Sequence, residues 1–268
     1  MGAYFKQHDP WQHPLSTGHA RRVPFFFGDE DWATYIHLED EADLAAQKYE
    51  LYHQFAKPVF LGEDRYEQDH GPVRDPVDMR YFQRRLFWSW LLSGGSANYG
   101  GRWWAVDPYS RTGLRPSTKP GKNGIRFTTQ LRGLDSIRFI RSYFSERQID
   151  LAEFQPNHEL ARDADADERT LAQQLKVMRR GADEFLIYHP NAAAIGKEAR
   201  GETNRAARLR IDLRAVWGTF NVEWFRAADG KSVDGETING GNAIDLTAPW
   251  KGYDVVVRLL QNNSPARH

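Results

Sequence analysis

The run Val59-Phe60-Leu61, held between Pro58 and Gly62 and followed at once by Glu63, constrains this chain more than any other stretch. A short apolar run bounded by two chain-breaking residues reads as a fully buried strand of a parallel sheet. Ahead of it, residues 41–55 set Ala42, Ala45, Ala46, Tyr49, Tyr52, His53 and Phe55 at helical spacing. The unit is helix, short turn, buried strand, carboxylate.

The same alternation continues on both sides. Residues 4–8 read as the tail of a helix that Asp9-Pro10-Trp11-Gln12-His13-Pro14 breaks, and residues 15–19 as a short strand ending in His19. Residues 31–39 read as a strand ending near His37, because Trp32, Thr34, Tyr35 and Ile36 suit a pleated surface. Phe82, Leu86 and Trp90 space a helix over 79–92 that Ser93-Gly94-Gly95 stops, and residues 96–101 form a small-residue strand. Residues 111–124 read as an exposed loop, and Ile137, Ile140, Arg141 and Phe144 as one face of a helix over 134–144. Strand and helix in alternation are the mark of a parallel α/β sheet. In a (β/α)8 barrel the carboxyl ends of the strands form the active-site mouth, which makes Glu63 the leading catalytic candidate. The plainer alternative is an acid that caps the next helix or pairs with Arg65.

The pattern changes after Glu146. Gln155-Pro156-Asn157 reads as a turn, and residues 163–180 as a charged, partly helical, solvated stretch. Short strands follow at 185–188, 209–213, 220–225, 243–246 and 255–260, with Asp229-Gly230 and Asn239-Gly240-Gly241 as hairpin-type turns. The expected fold is therefore α/β plus all-β, with residues 1–150 a barrel-like part and 151–268 a small antiparallel β-sandwich.

Composition narrows the function classes. With 36 basic and 36 acidic residues, overall charge implies no nucleic-acid or membrane-surface partner. Arg84 and Arg85 are expected to pair with acids on neighbouring elements, because one basic pair makes no patch. Cysteine is absent, so disulfides and thiolate metal sites are excluded. The spacing of His8, His13 and His19 matches no zinc pattern, and Gly94-Gly95 and Gly100-Gly101 fit no dinucleotide fingerprint, so neither metal nor cofactor is expected. No run approaches the roughly 20 apolar residues of a membrane span, and Met1-Gly2-Ala3-Tyr4-Phe5-Lys6 lacks the apolar core of a signal peptide. Nine Trp, eleven Tyr and fifteen Phe exceed what a small core needs, and aromatic faces in a cleft suit stacking on sugar rings.

Four features, taken in order, resemble the apiosidase-like, collagenase-associated glycoside hydrolase family. Asp9-Pro10-Trp11-Gln12-His13-Pro14 is similar to the segment before that family's fifth barrel strand. Lys57-Pro58-Val59, Gly62-Glu63 and Tyr66-Glu67 are similar to its seventh-strand block. Arg85 to Gly95 with Asn98-Tyr99-Gly100 resembles the helix and eighth strand. Trp224-Phe225, Asp229-Gly230 and Ala248-Pro249 resemble its terminal sandwich, although Arg226-Ala227-Ala228 departs from the usual Asp-Pro-Arg. Residues 111–124 and 163–180 have no counterpart in the resemblance.

The resemblance implies the C-terminal half of a (β/α)8 barrel, strands five to eight, followed by a small sandwich, with Glu63 as nucleophile of a retaining hydrolase. It implies a carbohydrate substrate, a plant or microbial polysaccharide side chain. A complete barrel takes about 250 residues, and the family's general acid/base lies on the fourth strand, upstream of Met1. The chain is therefore expected to be weak or inactive alone, with a homodimer or partner chain covering the open barrel edge, and exported or periplasmic if a longer precursor exists. His19, His37, Tyr66 and Tyr99, at or just past strand ends, are candidates to hydrogen-bond sugar hydroxyls. Glu67 is expected to orient Tyr66 or an arginine, and Trp103 and Trp104 to form a stacking wall. A packed aromatic or a satisfied histidine is the competing reading for each. The alternative function is a non-catalytic carbohydrate-binding or assembly protein.

Overall fold

Strands β1 (Ile36–Glu39), β2 (Val59–Glu63) and β3 (Ser96–Ala97) pair in parallel in the order β1-β2-β3. The computed structural model describes residues 1–18, 24–39, 53–63, 79–99, 133–165, 173–195 and 198–262. Side chains alternate across a strand, so Ile36, Leu38, Val59 and Leu61 share one face, where they are buried against Leu86 and Trp90. Phe60 and Gly62 take the other face and are only half-buried, so β2 is sealed on one side rather than on both.

The strand expected over 31–39 shortens to its last four residues. Residues before it turn, with the Ala33 amide donating to Glu30 O at 3.0 Å, and Lys57 Nζ donates to Gly28 O at 2.6 Å and Glu30 O at 2.8 Å. Lys57 of the Lys-Pro-Val motif is thus a clamp on that turn. No strand forms at 15–18; Leu15 instead exchanges bonds with Thr34, its amide donating to Oγ1 at 2.7 Å and its carbonyl accepting from the Thr34 amide at 2.8 Å. Helix α1 (Gly2–His8) precedes it, its Gly2 lying flat on the Trp32 ring where a Cβ would sit 2.2 Å from the ring. The expected helix over 41–55 falls mostly, and the loop over 111–124 wholly, outside the described residues.

Parallel strands need a crossover, and helix α2 (Met79–Leu91) supplies it between β2 and β3. At 100° per residue, positions 86 and 90 lie about 200° around the axis from 88 and 92. Leu86 and Trp90 pack on the parallel sheet, whereas Trp88 and Leu92 pack on a second, antiparallel sheet. The helix is buried between two sheets. Helix α3 (Ile137–Glu146), led in by a 3₁₀ turn at Gly133–Ser136, buries Ile140 and Tyr143 against the same antiparallel sheet. Arg141 is exposed, so the helix face differs from the expected one by about a third of a turn.

The rest is mostly sheet. Seven strands, β4 (Gln155–Pro156), β6 (Lys176–Arg180), β7 (Glu184–His189), β11 (Thr219–Arg226), β12 (Lys231–Asp234), β13 (Ile238–Asn239) and β15 (Val255–Gln261), run in the order β12-β11-β15-β7-β6-β4, with β13 also on β11. Strands β5 (Ala161–Asp163), β10 (Ala206–Asp212) and β14 (Ala243–Lys251) form a second antiparallel sheet, and β8 (Ala192–Ile195) pairs with β9 (Glu198–Glu202). One face of the larger sheet, through Val177, Phe185, Ile187, Trp224 and Val257, meets Leu209 and Ile211 of β10; the other, through Met178, Leu186, Tyr188, Phe225 and Val256, meets α2 and α3. Burial on both faces explains the unbroken apolar runs at 185–188 and 255–257.

Three expectations fail here. Gln155 and Pro156 pair with Arg179 and Met178 instead of turning. Residues 176–180 form a strand with Lys176, Val177 and Met178 buried, because cross-strand pairing to β7 outweighs the high local charge. Asp229-Gly230 does close the β11–β12 hairpin, with Gly230 at φ 77°, but Asn239-Gly240-Gly241 carries the chain from β13 on one sheet to β14 on the other.

Candidate functional site at the carboxyl ends of the parallel strands

On the face of the parallel sheet away from α2, alternation brings Tyr35, His37 and Glu39 of the β1 segment beside Phe60 and Gly62 of β2. His37 pairs in register with Phe60, and a bulge then sets Glu39 opposite Glu63. The extra residue is Gly62, and its missing side chain matters: a Cβ there would sit 2.2 Å from His37 Cε1 and 2.3 Å from Nε2. The imidazole therefore lies directly on the Gly62 backbone, edge-on to Phe60 with ring centroids 5.9 Å apart.

His37 Nε2 is 3.8 Å from Glu39 Oε1, and both side chains are 21% exposed. Glu39 in turn lies over Gly18, where a Cβ would come within 2.7 Å of its Oε1. Just past β3, the Asn98 amide donates to Leu61 O at 2.9 Å and Asn98 Nδ2 donates to Gly62 O at 3.3 Å. Ser16 Oγ donates to Tyr35 O at 2.8 Å, tying the 15–18 segment to the same rim. The result is a half-open polar surface of imidazole, carboxylate and amide at the end of β2, able to hydrogen-bond hydroxyl groups.

Of the residues the sequence singles out, His37 stands in β1, the backbone of Glu63 ends β2 beside Glu39, and Tyr99 follows β3 half-buried. His19, Tyr66, Glu67, Trp103 and Trp104 lie outside the described residues. Sequence reasoning missed Glu39 and Asn98. The signal for Glu39 was present: two residues after His37 on one strand, it had to share His37's face. Among the described residues no group of three His, Cys, Asp or Glu could hold a metal ion.

Behind this rim a buried ionic network fixes α2. Arg84 Nε donates to Asp254 Oδ1 at 3.0 Å and Oδ2 at 2.9 Å, its Nη2 donates to Glu202 at 2.7 Å, and Tyr188 donates to Asp254 at 2.9 Å. Burial alone would favour the neutral arginine, but Asp254 beside it raises the guanidinium above its ordinary pKa. Arg84 is thus a structural cation, as expected.

The chain is similar over its length to solved glycoside hydrolases. One is a glycoside hydrolase family 5 structure from Bacteroides vulgatus ATCC 8482, at 15% identity and TM-score 0.71, covering 98% of this chain and 59% of that one. Another, described as a glycoside hydrolase, gives 15% identity and TM-score 0.68 over 98% of this chain and 61% of its own. No family model and no curated protein matches. The chain has a glycoside-hydrolase-like fold, mixed α/β and mostly sheet, and spans less than two thirds of the length of these two structures.

Proposed function

We propose that the chain is part of a retaining glycoside hydrolase of the apiosidase-like kind, acting on a plant or microbial polysaccharide side chain. In this reading residues 1–150 supply strands five to eight of a (β/α)8 barrel, residues 151–268 form a small antiparallel β-sandwich, and Glu63 is the nucleophile. The observation that carries it is the gathering of His37, Glu39 and Asn98 at the carboxyl end of β2, on the face that α2 leaves open: His37 lies on the Gly62 backbone with its Nε2 3.8 Å from Glu39, and Asn98 Nδ2 donates to Gly62 O. His37 and Tyr99 would bind sugar hydroxyls, with His19, Tyr66, Glu67, Trp103 and Trp104 completing the shell.

Retaining hydrolysis needs two carboxyl groups about 5 to 5.5 Å apart. The general acid/base is proposed to come from polypeptide equivalent to the rest of the neighbours' length, in cis or in trans, so the chain alone would be weak or inactive. Among the described residues β1 is an edge strand, and Tyr4, Trp11 and Phe26 in the segments before it are more than half exposed. A second copy or a partner chain covering that edge is part of the proposal.

A mechanism-based 2-fluoro sugar, followed by peptide mapping, tests it: the label is expected on Glu63 and lost in Glu63→Gln. Labelling that survives the substitution rules the nucleophile assignment out. The second reading, a non-catalytic carbohydrate-binding or assembly protein, is favoured by the largely exposed rings of Trp11 and Trp217. Glycan binding without any labelling would select it.

A further inference from the structure

The two antiparallel sheets are open to each other along one side. Strand β14 is the outer strand of its sheet, and β12 and β13 share the outer edge of the larger one, both on β11. Only residues 240–242 separate β13 from β14, so the two free edges lie on the same side. On β14 the inward-facing Ile244 and Leu246 are only half-buried, whereas Ile211 and Leu209, their register partners on β10, are fully buried. Between the edges a slot of about 360 Å³ opens, floored by Val222, Trp224 and Val233 of one sheet and Leu246 of the other. The Arg226 guanidinium, 5.3 Å from the Trp250 ring, covers the Trp250 end of β14 and leaves the Leu246 end open.

A free edge presents a row of backbone N–H and C=O groups that can pair with another strand, and sheets guard such edges with proline, bulges and charge. On β14 the proline, Pro249, and the register shift between Thr247 and Lys251 guard one end only. Residues 243–247 have neither. The rim beside them is acidic. Asp245 is answered by Arg210 at 2.7 Å, but Asp234 and Glu236, both exposed, make no ion pair among the described residues. Two copies of this chain joined edge to edge would set these carboxylates against one another, whereas a basic strand would answer them.

We infer that this mouth takes an extended basic peptide segment of a partner protein. The segment adds a strand to β14 along residues 243–247, sets an apolar side chain into the slot over Trp224, and presents Lys or Arg to Asp234 and Glu236. The inference stands apart from the glycosidase reading and needs neither Glu63 nor a sugar. The test is fluorescence anisotropy of a labelled peptide of four Val-Lys repeats titrated with the full chain. Three comparators accompany it: four Val-Glu repeats, the Val-Lys composition in block order, and the Val-Lys peptide N-methylated at every residue, which cannot donate to a strand edge. The alternating basic peptide is expected to bind with a Kd below about 1 mM and each comparator about tenfold or more weakly. The double variant Asp234→Lys/Glu236→Lys, both positions being exposed, should unfold at the same urea concentration yet bind the basic peptide about tenfold or more weakly. Absence of binding at about 1 mM, equal binding of any comparator, or undiminished binding by the double variant would each overturn the inference. A chain that is dimeric by light scattering and excludes the peptide would assign the mouth to a second copy and overturn it as well.

Discussion

Asp254→Asn removes the charge at the centre of the network that ties α2 to β15 while keeping the side chain's volume. Asp254 is wholly buried, accepts two hydrogen bonds from Arg84 Nε and one from Tyr188, has Arg84 Nη2 2.9 Å from its Oδ1, and lies 170 residues from Arg84 in sequence. Breaking a buried pair by removing one partner costs about 3–5 kcal/mol, because the other charge is left uncompensated. Here Glu202 still reaches Arg84 at 2.7 Å from a side chain that is 17% exposed, so the loss should fall near the lower end, about 3 kcal/mol. Glu202→Gln, which leaves the Asp254 contacts intact, should cost only about 1 kcal/mol. In Arg84→Met/Asp254→Leu no buried charge is orphaned, and the double variant should lose less than the two single changes together. Urea unfolding followed by tryptophan fluorescence reads all of these, since Trp88 lies against Tyr188, ring centroids 6.1 Å apart. A loss below about 1 kcal/mol for Asp254→Asn, or one no larger than that of Glu202→Gln, would refute the argument.

Other outcomes follow from the same packing. In Gly62→Ala the new methyl would meet His37 at 2.2 Å, so the ring must swing off the strand; a changed His37 imidazole signal in NMR is expected, and an unchanged one counts against the described rim. Trp88→Ala empties the buried centre shared by α2, α3 and the larger sheet, and should cost about 3–5 kcal/mol in urea unfolding. His158 accepts from the Val177 amide at 3.0 Å, and burial, then the charge of Lys176, lower its pKa from 6.5 to about 4. Because the unfolded chain takes up that proton first, stability should fall as pH drops from 6.5 toward about 4. That part of the acid loss should vanish in His158→Gln; an identical pH profile would sink the assignment.

How much of this was legible depends on what local pattern encodes. The buried strand Val59–Leu61, the glycine stop after α2 and the apolar strands of the larger sheet could be read because period and chain-breaking residues are properties of a few neighbours. The helix over 79–91 was legible, and so was the pairing of Arg84 with acids on neighbouring elements, but not which acids or the burial on both sides, since Glu202 and Asp254 arrive from 118 and 170 residues away. The strand at 176–180 was hidden for a like reason: its charged ends, Lys176 and Arg180, are matched across to β7, where Glu184 accepts Arg180. At the candidate site, His37 and the end of β2 were legible from strand ends. Glu39 was overlooked although alternation pointed to it, and Asn98 could not be found at all, because its partner, Gly62 O, lies on another strand.

Residue order alone thus determined the chain's two regimes, strand and helix in alternation followed by closely spaced strands, because hydrophobic period and backbone breakers act over a few residues. Only the tertiary structure decided which faces close and which stay open. Burial and ion pairing are set by partners distant in sequence, and no local pattern contains them.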